Sequence, residues 1–164
     1  MARGPRLDAP GALHHVIARG IERRSIFVDD ADREDLLARL ASIVEVGGLT
    51  VYAWALMPNH LHLLVRTAAQ SLERSMRALL SGYATQFNRR HDRVGHLFQN
   101  RYKSTLCEDE PYFSALVRYI HRNPLSSVVA DMGSLARYPY SGHSALLGTV
   151  LWPLILLGVN LHLH

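Results

Sequence analysis

The sequence predicts an α+β fold: an antiparallel sheet of the split βαβ type, ferredoxin-like or RRM-like, with helices on one face and an added C-terminal helix that carries a tyrosine. Three observations predict it. Apolar residues alternate in short β-rich runs, they recur at helical spacing in longer runs, and the runs follow one another as strand, helix, strand, strand, helix, strand. "LHHVIAR" reads as the first strand. In "DDADREDLLARLASIVEV" the residues Leu36, Leu37, Leu40, Ile43 and Val44 share one helical face, and Gly47 and Gly48 end the helix. "LTVYAWAL" and "HLHLLV" read as two strands of a hairpin that turns through Pro58 and Asn59. "SLERSMRALLSGYATQFNRRH" is the second helix, with Leu72, Met76, Leu79, Leu80, Tyr83 and Phe87 on one side. "HLFQNRYKSTLC" reads as a further strand. In "EDEPYFSALVRYIHRNP" the acids Glu108, Asp109 and Glu110 favour a helix N-terminus, Pro111 suits the first turn, and Pro124 marks the end.

At 164 residues with 48% hydrophobic and 20% charged content, the chain is long enough for one domain with its own core. That domain is expected over residues 1–148, with a divergent apolar tail over 149–164. The tail is broken by Pro153 and Gly158 and is too short for a normal bilayer span, so no membrane association is expected. A single Cys107 excludes an intrachain disulfide, and the N-terminus lacks the apolar stretch of a signal peptide, so a cytoplasmic location is expected. No GxxxxGK[ST] loop is present, so no nucleotide cofactor is expected. Net charge is +4, and between Arg66 and Lys103 eight basic residues face two acids, Glu73 and Asp92. Such a stretch, Arg89 and Arg90 included, suits phosphate contacts, although a solvated basic face reads the same way.

Within "HLHLLV" the alternation of a strand puts His60 and His62 on one face and Leu61, Leu63 and Val65 on the other. Two adjacent imidazoles can chelate one ion; they can also be ordinary surface or hydrogen-bonded histidines. In the last helix Tyr112, Leu116 and Tyr119 share a face, and Asn123 follows Tyr119 by about one turn, so both can reach one ion or phosphate. The same three residues also read as a core stripe, and Pro124 disfavours helical geometry at Asn123. His14, His15, His91, His96, His121 and His143 lie at unrelated spacings and read as solvent-facing or hydrogen-bonded. A second His-Leu-His, His162 to His164, closes the chain and reads as incidental.

The blocks "PGALHHVIARGIERRSIFVDDADR", "YAWALMPNHLHLLVRT", "GHLFQNRYKS", "YIHRNP" and "YPYSGHSALLG" resemble, in order, the signature blocks of the REP-associated tyrosine transposases, IS200-like members of the single-tyrosine HUH nucleases. The resemblance implies that Tyr119 is the nucleophile and that His60, His62 and Asn123 ligate a divalent metal, magnesium or manganese. It implies a metal-dependent endonuclease and strand transferase for single-stranded or hairpin DNA, working through a covalent 5′-phosphotyrosine, as a monomer or homodimer. By the same resemblance Gln99, Arg101 and Lys103 fall in a signature strand, and His121 and Arg122 flank the catalytic turn, so DNA contact or a structural role is expected of them. The alternative is a non-catalytic nucleic-acid-binding module in which Tyr119 stacks or packs. A cyclic phosphodiesterase fits less well, because it needs a second matched histidine motif and leaves Tyr119 without a role.

Overall fold

The computed structural model describes residues 9–147, so the apolar tail expected over 149–164 lies outside the described residues. The elements run β1 (Leu13–Arg19), α1 (Asp30–Glu45), β2 (Leu49–Met57), β3 (His60–Thr67), α2 (Leu72–Arg90), β4 (Lys103–Leu106), α3 (Glu110–Arg122), α4 (Met132–Arg137) and α5 (Gly142–Leu146). The sheet order is β2-β3-β1-β4 and every neighbouring pair is antiparallel. This is the split βαβ arrangement that the strand and helix order predicts.

Helix boundaries follow local chemistry. The Asp29 carboxylate accepts the Asp32 N–H at 3.1 Å and opens α1; Ser71 Oγ accepts the Arg74 N–H at 3.1 Å and opens α2; Asp109 accepts the Tyr112 N–H at 2.8 Å and opens α3. Pro111 sits in the first turn of α3, where a missing N–H costs nothing. At the end of α1, Gly47 takes φ +77°, a left-handed geometry that favours glycine, and the Gly47 and Gly48 N–H groups cap the Val44 and Ile43 carbonyls.

Side-chain alternation gives the sheet two buried faces. On one, Val16, Ala18, Trp54, Leu56, Leu61, Leu63 and Val65 pack against Leu36, Leu37 and Leu40 of α1 and Met76, Leu79, Tyr83 and Phe87 of α2. On the other, Leu13, Ala53, Ala55 and Leu64 lie beneath Phe113, Leu116, Val117 and Ile120 of α3. The added helix thus covers the face that α1 and α2 leave open. After α4, the segment 138–141 runs along β2: the Leu56 N–H donates to the Tyr140 carbonyl at 2.8 Å, and the Tyr138 hydroxyl donates to the Leu56 carbonyl at 2.6 Å. One sheet edge is covered in this way. Among the described residues no helix is long and apolar enough to cross a membrane.

Three local expectations are corrected. The last strand is shorter than the run from His96 to Cys107: Lys103–Leu106 forms the strand and Phe98 makes only an isolated bridge to Gly20, because Asn100 adopts φ +53° and breaks the extended backbone between them. Residues Gln99 and Arg101 therefore sit in a loop, which the Gln99 N–H ties to the Arg19 carbonyl at 2.8 Å. The core stripe of α3 is Phe113, Leu116, Val117 and Ile120, while Tyr112 and Tyr119 remain 39% and 54% exposed. Both stripes have helical period, and the wholly apolar one wins the sheet. Finally, Asn123 keeps helical angles (φ −55°, ψ −38°) despite Pro124, because its N–H bonds the Ile120 carbonyl and the chain continues into a tight 3₁₀ turn over Asn123–Ser126.

Asp32 is buried at the start of α1 and gathers three donors: the Val28 N–H at 2.9 Å, the His91 Nε2–H at 2.8 Å, and the Arg90 guanidinium. Removing the carboxylate takes this acceptor from the Val28 N–H and His91 and leaves Arg90 with Asp29 alone. Asp32→Ala is expected to cost about 2–4 kcal/mol, read as a lower urea midpoint with an unchanged slope.

Candidate active site

The hairpin and β1 bring the site together. In the register of β1 against β3, Arg19 pairs with His60, Ile17 with His62 and His15 with Leu64, so His15, Ile17, Arg19, His60 and His62 all project from the face that α3 covers. Lys103 pairs with Ile17 and joins them from β4. Helix α3 crosses this face and sets the Tyr119 ring edge-on to His62, centroids 5.7 Å apart, and to His15 at 6.3 Å. The His60 and His62 rings lie 5.0 Å apart.

Each imidazole has a distinct environment. His60 Nδ1 is 2.7 Å from the Asn59 amide oxygen, an acceptor, so Nδ1 carries the proton and Nε2 the lone pair. The Asn123 side chain lies beside His60 and works against the lowering of its pKa, which brings together two of the residues that the resemblance marks as metal ligands. His62 is 1% exposed, its Nδ1 lies 3.1 Å from His15 Nε2, and its Nε2 is buried with no hydrogen-bond partner. Burial first, then the charges of His60, His15 and Arg19, pushes the His62 pKa down to about 3. Burial lowers the pKa of His60 and His15 as well. These imidazoles are neutral near pH 7, the form in which histidine binds a metal.

Two residues of this cluster escape the sequence reading. His15 reads there as an unremarkable histidine, and Arg19 is not singled out at all. Their shared signal is strand parity with His60 and His62, which becomes visible only once the pairing register is known.

The remaining expected residues divide by face. Gln99, Arg101 and Lys103, all exposed, line with Ile17, Arg19 and Asn100 a small groove of about 180 Å³ beside the histidines. Arg101 also reaches across to Glu73 of α2 at 3.2 Å. Arg89 and Arg90 lie at the end of α2, on the opposite side of the sheet. Arg90 forks onto Asp29 with two 3.1 Å contacts and onto Asp32, and its guanidinium holds the Asp29 carboxyl down at about 2. Arg122 is exposed at the end of α3, whereas His121 points inward and is 5% exposed.

His121 shows how tightly that helix end is seated. A Cβ on Gly142 would lie 2.6 Å from His121 Nε2 and 3.1 Å from the Trp54 ring, so only glycine lets α5 approach there. Burial, and then His143, pushes the His121 pKa down to about 4. An unfolded histidine takes up its proton near pH 6.5, while the folded one resists until about pH 4. The associated stability is therefore full above pH 6.5 and is lost as pH falls toward 4, at about 1.4 kcal/mol per unit. Chemical denaturation across this window should show the loss, and His121→Phe should make it shallower, with His62, His60 and His15 supplying the slope that remains.

The family model "Transposase IS200 like" matches residues 10–123, and the chain belongs to that family of transposases. Among solved structures, the fold is that of a REP-associated tyrosine transposase, described as bound to a REP hairpin: 17% identity, 93% of this chain and 89% of that chain covered, TM-score 0.73. A protein of Deinococcus radiodurans R1 assigned as a transposase matches at 22% identity, covering 74% of this chain and 97% of that one, with TM-score 0.48. No curated protein matches the sequence significantly.

Among the described residues no group of three or more His, Cys, Asp or Glu side chains is placed to hold a metal ion. The donor set that the resemblance implies is of another kind, two imidazoles and a carboxamide. The buried, partnerless Nε2 of His62 and the lone pair of His60 Nε2 beside Asn123 fit such a set.

Proposed function

We propose that this chain is a divalent-metal-dependent endonuclease and strand transferase for single-stranded or hairpin DNA, with Tyr119 as nucleophile. The observation that carries the reading is an exposed tyrosine held edge-on to the buried His62 of the same chain, with Asn123, at the end of the same helix, beside His60. An exposed phenol next to a desolvated donor pair gives an incoming phosphate a place between nucleophile and ligands. Nothing in packing requires a tyrosine at that position.

His60, His62 and Asn123 would hold magnesium or manganese, hard enough for oxygen ligands and tolerant of imidazole. When bound, the ion supplies charge withdrawal from the phosphate oxygens and alignment for in-line attack. The chain's own residues do the rest. Tyr119 Oη forms a bond to phosphorus as the bond from phosphorus to the 3′-oxygen breaks, and the phenol proton ends on the departing 3′-hydroxyl. The product is a 5′-phosphotyrosine and a free 3′-OH. One phosphodiester is exchanged for another, so resealing or transfer to a new 3′-OH needs no nucleotide. Arg19 and Lys103, on the same sheet face, are placed to neutralise flanking phosphates, with Gln99 and Arg101 continuing that path in the adjoining loop.

The test is a labelled hairpin with a single-stranded flank, incubated with manganese and resolved on a denaturing protein gel. Metal-dependent transfer of label to the protein supports the reading. Hairpin binding without any adduct, over a panel of hairpins, favours the non-catalytic binding module.

A further inference from the structure

The second β1 histidine has a partner and a place that the proposed chemistry does not yet use. His15 is 7% exposed and lies edge to edge with His62, centroids 5.3 Å apart and planes 18° from parallel; its Nε2 lies 3.1 Å from His62 Nδ1. The two are diagonal neighbours across β1 and β3, since His15 pairs with Leu64 and His62 with Ile17. At this distance one nitrogen donates and the other accepts. If His15 donated, His62 would carry its proton on Nε2, a buried N–H with no acceptor, and that nitrogen would have no lone pair to offer. If His62 donates, its Nε2 is a bare lone pair in a desolvated site, a ligand waiting for a cation.

We propose that His15 is a positioning residue: its Nε2 accepts the Nδ1–H of His62 and so fixes His62 in the tautomer and ring orientation that presents Nε2 as a metal donor. The inference rests on the metal-site reading above. Asn59 does for His60 what His15 does for His62, each holding an Nδ1–H so that the pair offers two Nε2 lone pairs. Backbone pairing of β1 with β3 makes this support rigid, because both histidines ride on one sheet. Outer partners of metal-bound histidines commonly set 10- to 100-fold in metal affinity.

Two measurements decide it. The first is the tautomeric state of His62 in the full chain without metal, read from the ring ¹⁵N shifts by long-range ¹H–¹⁵N correlation near pH 7. A protonated Nδ1 and a bare Nε2 in the wild type, with the reverse in His15→Leu, is the expected result; an Nε2–H tautomer in the wild type overturns the proposal. The second is Mn²⁺ binding followed by electron paramagnetic resonance. His15→Leu should weaken it roughly 10- to 100-fold, and His15→Gln, whose side-chain oxygen can accept the same hydrogen, should recover most of the loss. Equal affinity in wild type and His15→Leu overturns the role of His15, as does a His15→Gln protein that folds but binds no better than His15→Leu. Absence of Mn²⁺ binding in the wild type, with the expected tautomer present, sinks the metal-site reading instead and leaves His15 as the group that sets His62.

Discussion

Tyr119→Phe is expected to abolish the covalent protein–DNA adduct, lowering cleavage by roughly 10⁴-fold or more, while hairpin affinity changes by less than about threefold. The size of the expected effect comes from chemistry: phenylalanine retains the ring and loses the only atom able to bond phosphorus. The small effect on binding and folding comes from the structure. The ring is 54% exposed and stands outside the Phe113, Leu116, Val117 and Ile120 stripe that fastens α3 to the sheet, so its hydroxyl holds nothing in place. Single-turnover cleavage beside a hairpin-binding titration checks both halves. Undiminished cleavage by the phenylalanine variant would remove Tyr119 from the mechanism.

His62→Ala is expected to cost roughly 10³-fold in cleavage and to leave little manganese binding, since it deletes the most deeply buried of the donors. His60→Ala should follow the same pattern with a smaller loss of fold stability, because His60 is half-buried and His62 is 1% exposed. Metal titrations of cleavage distinguish this loss from simple unfolding: a ligand variant recovers part of its activity at high manganese, whereas an unfolded one does not. If His62→Ala cleaves with wild-type metal dependence, the histidine pair is not the ligand set.

Much of this site is legible in the sequence because it depends on short-range periodicity. His60 and His62 are two residues apart, so strand alternation alone puts them on one face, and Tyr119 and Asn123 are four apart on one helix. The hairpin at Pro58 and Asn59 is equally local, as are the Asp29, Ser71 and Asp109 caps. What escapes is long-range. His15 meets His62 across 47 residues, through a register that no local pattern specifies. The orientation of α3 is a competition between two stripes of equal period, decided by burial against Ala53, Ala55 and Leu64. Arg90 looks like a phosphate-binding arginine until Asp29 and Asp32, about sixty residues away, are found in its fork. Asn100 breaks the last strand with a left-handed residue, and asparagine tolerates that geometry without signalling it strongly.

The tyrosine and the histidines that it faces belong to one polypeptide, joined by the backbone of a single packed sheet and helix. Cleavage that uses this pairing, and not a partner's tyrosine, is unimolecular. Once DNA is bound, the cleavage step should be first order with a rate constant that dilution does not alter, from micromolar protein to the lowest concentration that still saturates the hairpin. For cleavage within one chain, a mixture of the tyrosine variant and the histidine variant stays inactive; activity recovered in the mixture would show a tyrosine acting on a second copy's histidines.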